Sequence, residues 1–73
     1  MITVSPDVIP ANGQASISHS HNVATTITIT NDHGGHDTIT VQPGQVFKWT
    51  PPAGWTEARF NDGDCPEVYR VIA

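Results

Sequence analysis

The chain has 73 residues, with seven acidic side chains against three basic ones and a formal net charge of −4 at pH 7. This length predicts a single domain, residues 1 to 73, with a small core. The acidic balance argues against nucleic acid as a partner, because phosphate backbones are bound by clustered Lys and Arg. The opening segment MITVSPDVIP turns polar almost at once, so we expect neither a secretory signal peptide nor a membrane-spanning segment.

The composition favours β-strands. Ile, Val and Thr together supply 23 residues and the chain has no Leu, and β-branched side chains suit pleated strands. Turn motifs such as PANG, NDHGG, QPG and PPAG separate the apolar runs. We therefore predict an all-β fold, a small antiparallel β-sandwich or barrel of about six to seven strands. The strands are predicted near 2-5, 14-21, 23-30, 38-42, 45-50 and 67-72, with 56-60 as a seventh candidate.

The first predicted strand is a candidate contact segment. Ile2 and Val4 alternate with polar residues, and Pro6 and Pro10 stop further strand growth. We predict that this segment pairs with the open sheet edge of a partner protein.

The run TTITITNDHGGHDTITV predicts a β-hairpin. Its register is the one that pairs apolar residues with apolar residues and threonines with threonines. A three-residue loop, His33-Gly34-Gly35, pairs Ile29 with Ile39, and it sets Ile27 against Val41, Thr28 against Thr40 and Thr30 against Thr38. The apolar side of this hairpin and its neighbours predict the core: Ile17, Ile27, Ile29, Ile39, Val41, Phe47 and Trp49.

The polar side of the same hairpin carries a row of threonines, which predicts a flat, uncharged surface suited to contact with a partner. Its members are Thr26, Thr28, Thr30, Thr38 and Thr40.

All four histidines fall between residues 19 and 36, and the predicted register sets Asp32 opposite His36. We interpret them first as polar residues at strand ends, with Asp32 and His36 as a surface pair that contributes less than about 1 kcal/mol. The alternative is a metal site, because imidazole and carboxylate groups are zinc ligands. Its candidate ligands are His33, His36, Asp32, His19 and His21. We predict that folding requires no metal and no other cofactor.

Other side chains raise further alternatives. Trp49, Trp55 and Tyr69 are candidates for an aromatic platform that binds sugar rings. The segment NDGDCPE is rich in oxygen ligands but lacks the spacing of an EF-hand calcium loop, so we interpret it as a tight turn. Cys65 has no following His, and no Ser/His/Asp arrangement is legible, so we expect no enzyme.

Two segments resemble known families. TITVQPGQVFKWTPP resembles the strand-turn-strand of cupredoxins, but the residues PEVYRVIA after Cys65 include neither the His nor the Met of a copper loop, so copper chemistry does not carry over. ITVSPDVIPANGQASIS resembles the opening of small phage and bacterial immunoglobulin-like domains, and this resemblance implies a β-sandwich architecture.

These observations predict a non-enzymatic structural or interaction module. In type, the chain resembles the accessory subunits of phage particles, such as capsid decoration or cement proteins, and this resemblance implies action in several copies on a larger assembly or on one another. We expect such a chain in the virion or in the cytoplasm of the producing cell. The alternative is a small module that binds carbohydrate or metal.

Overall fold

A computed structural model describes residues 1–64 and 66–73 and shows an all-β chain. Cys65, weighed above as a nucleophile and as a copper ligand, lies outside the described residues. The eight strands are β1 (Ile2–Ser5), β2 (Val8–Ile9), β3 (Ala15–His19), β4 (Thr25–Thr30), β5 (His36–Val41), β6 (Phe47–Trp49), β7 (Glu57–Asn61) and β8 (Val68–Ile72).

The strands form two sheets, one with the order β1-β3-β6 and the other with the order β2-β8-β7-β4-β5. Side chains from both sheets enclose one core, so the predicted all-β sandwich is confirmed. The strand missing from the prediction is β2, which lies between Pro6 and Pro10 and pairs in parallel with β8. Two residues are too few to show a period-two pattern in the sequence.

The core follows the alternation of side chains along each strand. Six predicted core residues are buried: Ile17, Ile27, Ile29, Ile39, Val41 and Trp49. Phe47 is only half-buried and packs against the edge of this cluster, which corrects its predicted place inside. The core also includes residues that were not predicted, namely Ile2, Val4, Ile9, Ala15, Ala58, Phe60 and Ile72.

The hairpin of β4 and β5 forms in a register two residues away from the predicted one. Thr28 pairs with Thr38 and Ile27 pairs with Ile39. A shift of two residues keeps every side chain on its predicted face, so the apolar residues still point inward. The predicted pairing of Ile29 with Ile39 is wrong.

The loop of this hairpin explains the shift. The side-chain oxygen Oδ1 of Asn31 accepts hydrogen bonds from the backbone N–H groups of His33 and Gly35, at 3.1 and 2.8 Å. The backbone N–H of Asn31 in turn donates to the carbonyl of Gly35. Asn31 and Gly35 therefore close the loop, and Gly34 takes the positive φ of 80° that a side chain would strain.

The N-terminal strand places the side chains of the predicted contact segment in the core. Ile2 and Val4 are 4% and 2% exposed, because β1 pairs with β3 and turns both side chains into the core. The backbone of Val4 points to the open side of β1, where its carbonyl accepts hydrogen bonds from Nε and Nη2 of Arg70 at 3.2 and 3.0 Å. The protein itself therefore uses this segment, both as core and as a link between the two sheets.

We expect Ile29→Asp to unfold the protein. Ile29 is fully buried, and an unpaired buried charge costs several kcal/mol, which is comparable with the whole stability of a small domain. Thr28→Asp is the matched control, because the adjacent side chain is exposed on the outer face. Urea unfolding followed by circular dichroism measures both variants, and equal stability of the two would contradict the facing of β4.

Deletion of residues 1 to 5 is also expected to abolish folding. It removes the buried side chains of Ile2 and Val4, each worth about 1.5–3 kcal/mol. The control keeps the chain length and replaces the exposed Thr3 and Ser5 of the same strand with Ala. Thermal unfolding compares the two proteins, and a truncated chain with the melting temperature of the control would show that β1 is not part of the core.

Candidate functional site

The outer side of the five-stranded sheet carries the predicted threonine row. Thr26 faces Thr40 and Thr28 faces Thr38 across the β4/β5 pair. These four side chains are exposed, and Thr30 is half-buried beside them. We call this surface the threonine face: Thr26, Thr28, Thr30, Thr38 and Thr40. Its members lie on one side of the sheet as predicted, although their partners differ.

A cleft of about 480 Å³ lies along the β4 side of this face. Its floor is made by the threonines of β4, and its wall by the turn after β7. We call it the acidic cleft, since Asp62 and Glu67 both line it, and its full lining is Thr26, Thr28, Thr30, Asn61, Asp62, Gly63 and Glu67. No local sequence pattern predicts the cleft, because its two sides lie more than thirty positions apart.

The wall of the cleft is held by a pair of side chains from distant parts of the chain. Nε2 of His21 lies 2.7 Å from Oδ2 of Asp62, whose side chain is fully covered. Oδ1 of Asp62 accepts the backbone N–H of Asp64, and Oδ1 of Asn61 accepts that of Gly63. The covered carboxylate of Asp62 therefore fixes the turn that forms the wall of the cleft.

His19 holds the preceding segment. Its Nε2 lies 2.7 Å from the carbonyl oxygen of Val41, so this nitrogen carries the proton and donates. Its Nδ1 then accepts the backbone N–H of His21 at 3.1 Å. Both nitrogens of His19 are thus engaged with backbone groups, which places it as a structural link between β3 and β5.

The predicted metal ligands are distributed over separate contacts. His36 faces Thr30 instead of Asp32, and the carboxylate of Asp32 binds Nη2 of Arg59 at 2.7 Å. His33 is exposed at the loop tip. Among residues 1–64 and 66–73, no group of three or more His, Cys, Asp or Glu side chains is arranged to hold a metal ion.

The aromatic platform does not form. Trp49 is 3% exposed and donates its indole N–H to Oδ2 of Asp37 at 3.0 Å. Its ring packs edge-on against Trp55 and Phe60, with centroids 5.8 and 5.5 Å away. Tyr69 lies on β8, in the other sheet from Trp49. Trp49 is therefore a core residue, and the three rings do not share a surface.

A polar chain of side chains crosses the outer face next to Thr30. The hydroxyl of Tyr69 donates to Oε2 of Glu57 at 2.9 Å. Oε1 of Glu57 is buried without a hydrogen bond and lies 3.3 Å from Nη2 of Arg59. Arg59 in turn binds Asp32. Arg59 is the cation of this chain of contacts. Because it lies between the carboxylates of Asp32 and Glu57, it does not neutralise the acidic cleft.

Comparison of the chain with protein-family models, with curated proteins and with solved structures found no match. In the described part of the chain, no helix is long and apolar enough to cross a membrane.

We expect Tyr69 to ionise above the ordinary tyrosine value of about 10. Its hydrogen bond to Glu57 raises the pKa, and burial and the negative charge of Glu57 raise it further. This contact therefore stabilises the fold below the pKa of the unfolded chain, and the stabilisation is lost as pH rises through the folded value.

The measurement is an ultraviolet titration of tyrosinate, which is specific because the chain has one Tyr. Glu57→Gln keeps the shape of the acceptor and removes its charge, so the pKa should move towards that of the denatured chain. An identical titration of the variant and the parent protein would contradict the contact.

Proposed function

We propose that this protein is a non-enzymatic interaction module that works in several copies on a larger assembly, in the manner of a virion decoration or cement subunit. The threonine face is the observation that carries this proposal. Its five side chains are uncharged, four of them are exposed, and their hydroxyl groups both donate and accept hydrogen bonds. Such a surface loses little on contact with a partner, because no charge has to leave water.

The hydrogen bonds along the edge strand β5 favour contact through the threonine face over contact through that edge. In β5, the even-numbered residues direct their backbone groups away from β4, because Asn31 and Gly35 form a hydrogen-bonded pair. The exposed N–H of Thr38 donates to Oδ1 of Asp37, and that of Gln42 donates to Oε1 of Gln45. Two of the backbone donors that a foreign strand would need are thus already bound by side chains of the protein itself.

The strand order is compatible with the resemblance to immunoglobulin-like domains. In those sandwiches the last two strands pair with each other and with the third strand, and the first two strands share the other sheet. When the two-residue β2 is set aside, this chain follows that scheme, because β7 and β8 pair with each other and with β4, while β1 and β3 share the other sheet. The order supports an architecture used by many adhesive and structural domains, and the proposed role in a virion rests on the same resemblance.

The expected location is then the virion, or the cell that produces it. The alternative of a sugar-binding module loses its basis in the structure, since Trp49 is in the core. A metal-binding module has no group of ligands among the described residues. The interaction module is the function that the exposed surface supports best.

We expect Thr28→Lys to weaken binding to the native assembly, because the lysine places a charge at the centre of the threonine face. Val23→Lys is the control, since Val23 is 67% exposed in a loop and receives the same charge. Both variants should melt like the parent protein, and mass measurement of complexes with material from the source compares their binding. Equal binding by the two variants would contradict the proposed face.

A further inference from the structure

Two places in the chain put an asparagine or an aspartate directly before a glycine. They are Asn12-Gly13, in the turn between β2 and β3, and Asp62-Gly63, in the turn between β7 and β8. In such pairs the glycine nitrogen can attack the neighbouring side-chain carbonyl carbon, because glycine has no side chain to obstruct the approach. The structure distinguishes the two pairs, since it leaves the first one open and holds the second one closed.

Asn12 lies exposed in the first of these turns. The turn is closed by a backbone hydrogen bond from the N–H of Gly13 to the carbonyl of Pro10, at 3.0 Å. In the described part of the chain, no hydrogen bond holds the Asn12 side chain. Opening one bond in an exposed turn costs far less than unfolding the protein, so the Gly13 nitrogen becomes available while both sheets stay intact.

Asp62 is in the opposite situation. Its side chain is fully covered, and its two oxygens are bound by Nε2 of His21 at 2.7 Å and by the backbone N–H of Asp64 at 3.0 Å. The N–H of Gly63 donates to Oδ1 of Asn61 at 2.7 Å. Both groups that would react are therefore engaged, and a carboxylate is also a poorer electrophile than an amide.

The other asparagines lack the following glycine. Asn31 and Asn61 each precede an aspartate, and their Oδ1 atoms accept backbone N–H groups within their own loops. Asn22 precedes Val23, whose branched side chain obstructs the approach to its nitrogen. Asn12 therefore combines an exposed side-chain amide with an unobstructed nucleophile.

We propose that Asn12 is a site of spontaneous modification in the folded protein, where the asparagine is converted to a mixture of aspartate and isoaspartate. The Gly13 nitrogen loses its proton to solvent and bonds to Cγ of Asn12, and the side-chain nitrogen leaves as ammonia, which gives a cyclic succinimide. Water then opens the ring. Cleavage between the nitrogen and Cγ gives aspartate, and cleavage at the backbone carbonyl gives isoaspartate, whose main chain runs through the former side chain.

The modification changes both the charge and the geometry of the turn. Either product replaces a neutral amide with a carboxylate, which makes the formal net charge of −4 more negative by one unit. Isoaspartate also adds a carbon atom to the main chain between Pro10 and Gly13, which are packed so closely that a Cβ on Gly13 would lie 2.9 Å from Cβ of Pro10. Since Ala11 in this turn donates to the carbonyl of Ala73, we expect isoaspartate to loosen the junction between the two ends of the chain.

The test is peptide-mapping mass spectrometry of the full chain after incubation at mildly alkaline pH, with electron-transfer fragmentation to distinguish isoaspartate from aspartate. In the folded parent protein, conversion should be at least about tenfold faster at Asn12 than at Asp62, because only the first turn opens locally. In concentrated urea both pairs should react, since unfolding releases Asp62. Asn12→Gln is the matched control and should show no product at this position, because its longer side chain closes the corresponding ring much less readily.

Thermal unfolding gives a second readout. Asn12→Asp carries the new charge on an unaltered main chain and should melt like the parent protein, whereas the separated isoaspartate form should melt at a lower temperature. An isoaspartate form that melts like Asn12→Asp would contradict the loosening of the turn.

Two results of the mapping experiment overturn the proposal. One is a folded protein whose Asn12 stays intact while the chain in urea reacts there, which would show that the turn does not open. The other is equal conversion at Asn12 and Asp62 in the folded protein, which would show that the fold does not select the site.

Discussion

The strict alternation of β4 is the constraint on which the rest of the molecule depends. The strand lies between β7 and β5, so both of its edges are paired. Its isoleucines, Ile27 and Ile29, are fully buried, and its threonines form the floor of the acidic cleft. Because side chains alternate with a period of two, the same six residues determine the interior and the exposed surface together. A one-residue shift in the register of β4 would therefore alter both at once.

A small sandwich has four exposed strand edges and few residues with which to cover them. Here three different devices serve. Arg70 reaches across from β8 to the open side of β1, Asp37 and Gln45 bind donors along β5, and β2 is limited to two residues by the prolines on either side. Asp37 has a second task, because its other oxygen accepts the indole N–H of Trp49. These devices act on three of the four edges, so the edge of β6 and the two broad faces are the surfaces left open to partners.

The sequence predicted what depends on local pattern and missed what depends on distant contacts. The β class and the inward side of the hairpin follow from alternation alone, and both were correct. The register was wrong by two residues because pairing Ile39 with Ile27 or with Ile29 satisfies the same rule. The side chain of Asn31 decides between the two registers, because its oxygen accepts the backbone N–H of Gly35 and so closes the loop between these two residues.

The positions of the predicted site residues also depend on distant contacts. The alternation of Ile2 and Val4 with polar residues fits both a core strand and a strand that contacts a partner. Only the pairing of β1 with β3 shows that their side chains belong to the core. The covered pair of His21 and Asp62 is separated by 41 positions, and no local spacing predicts such a contact. Trp49 was assigned both to the core and to a binding platform, and its contacts with Phe60 and Asp37 settle the choice.

The parallel pairing of β2 with β8 ties the two ends of the chain into one contact. Ala73 donates its backbone N–H to the carbonyl of Ile9, and Ala11 donates to the carbonyl of Ala73. During synthesis, Ile9 leaves the ribosome early and has no partner strand until β8 follows. The five-stranded sheet is therefore completed only after β8 has emerged, and until then Ile9 lacks the strand that pairs with β2.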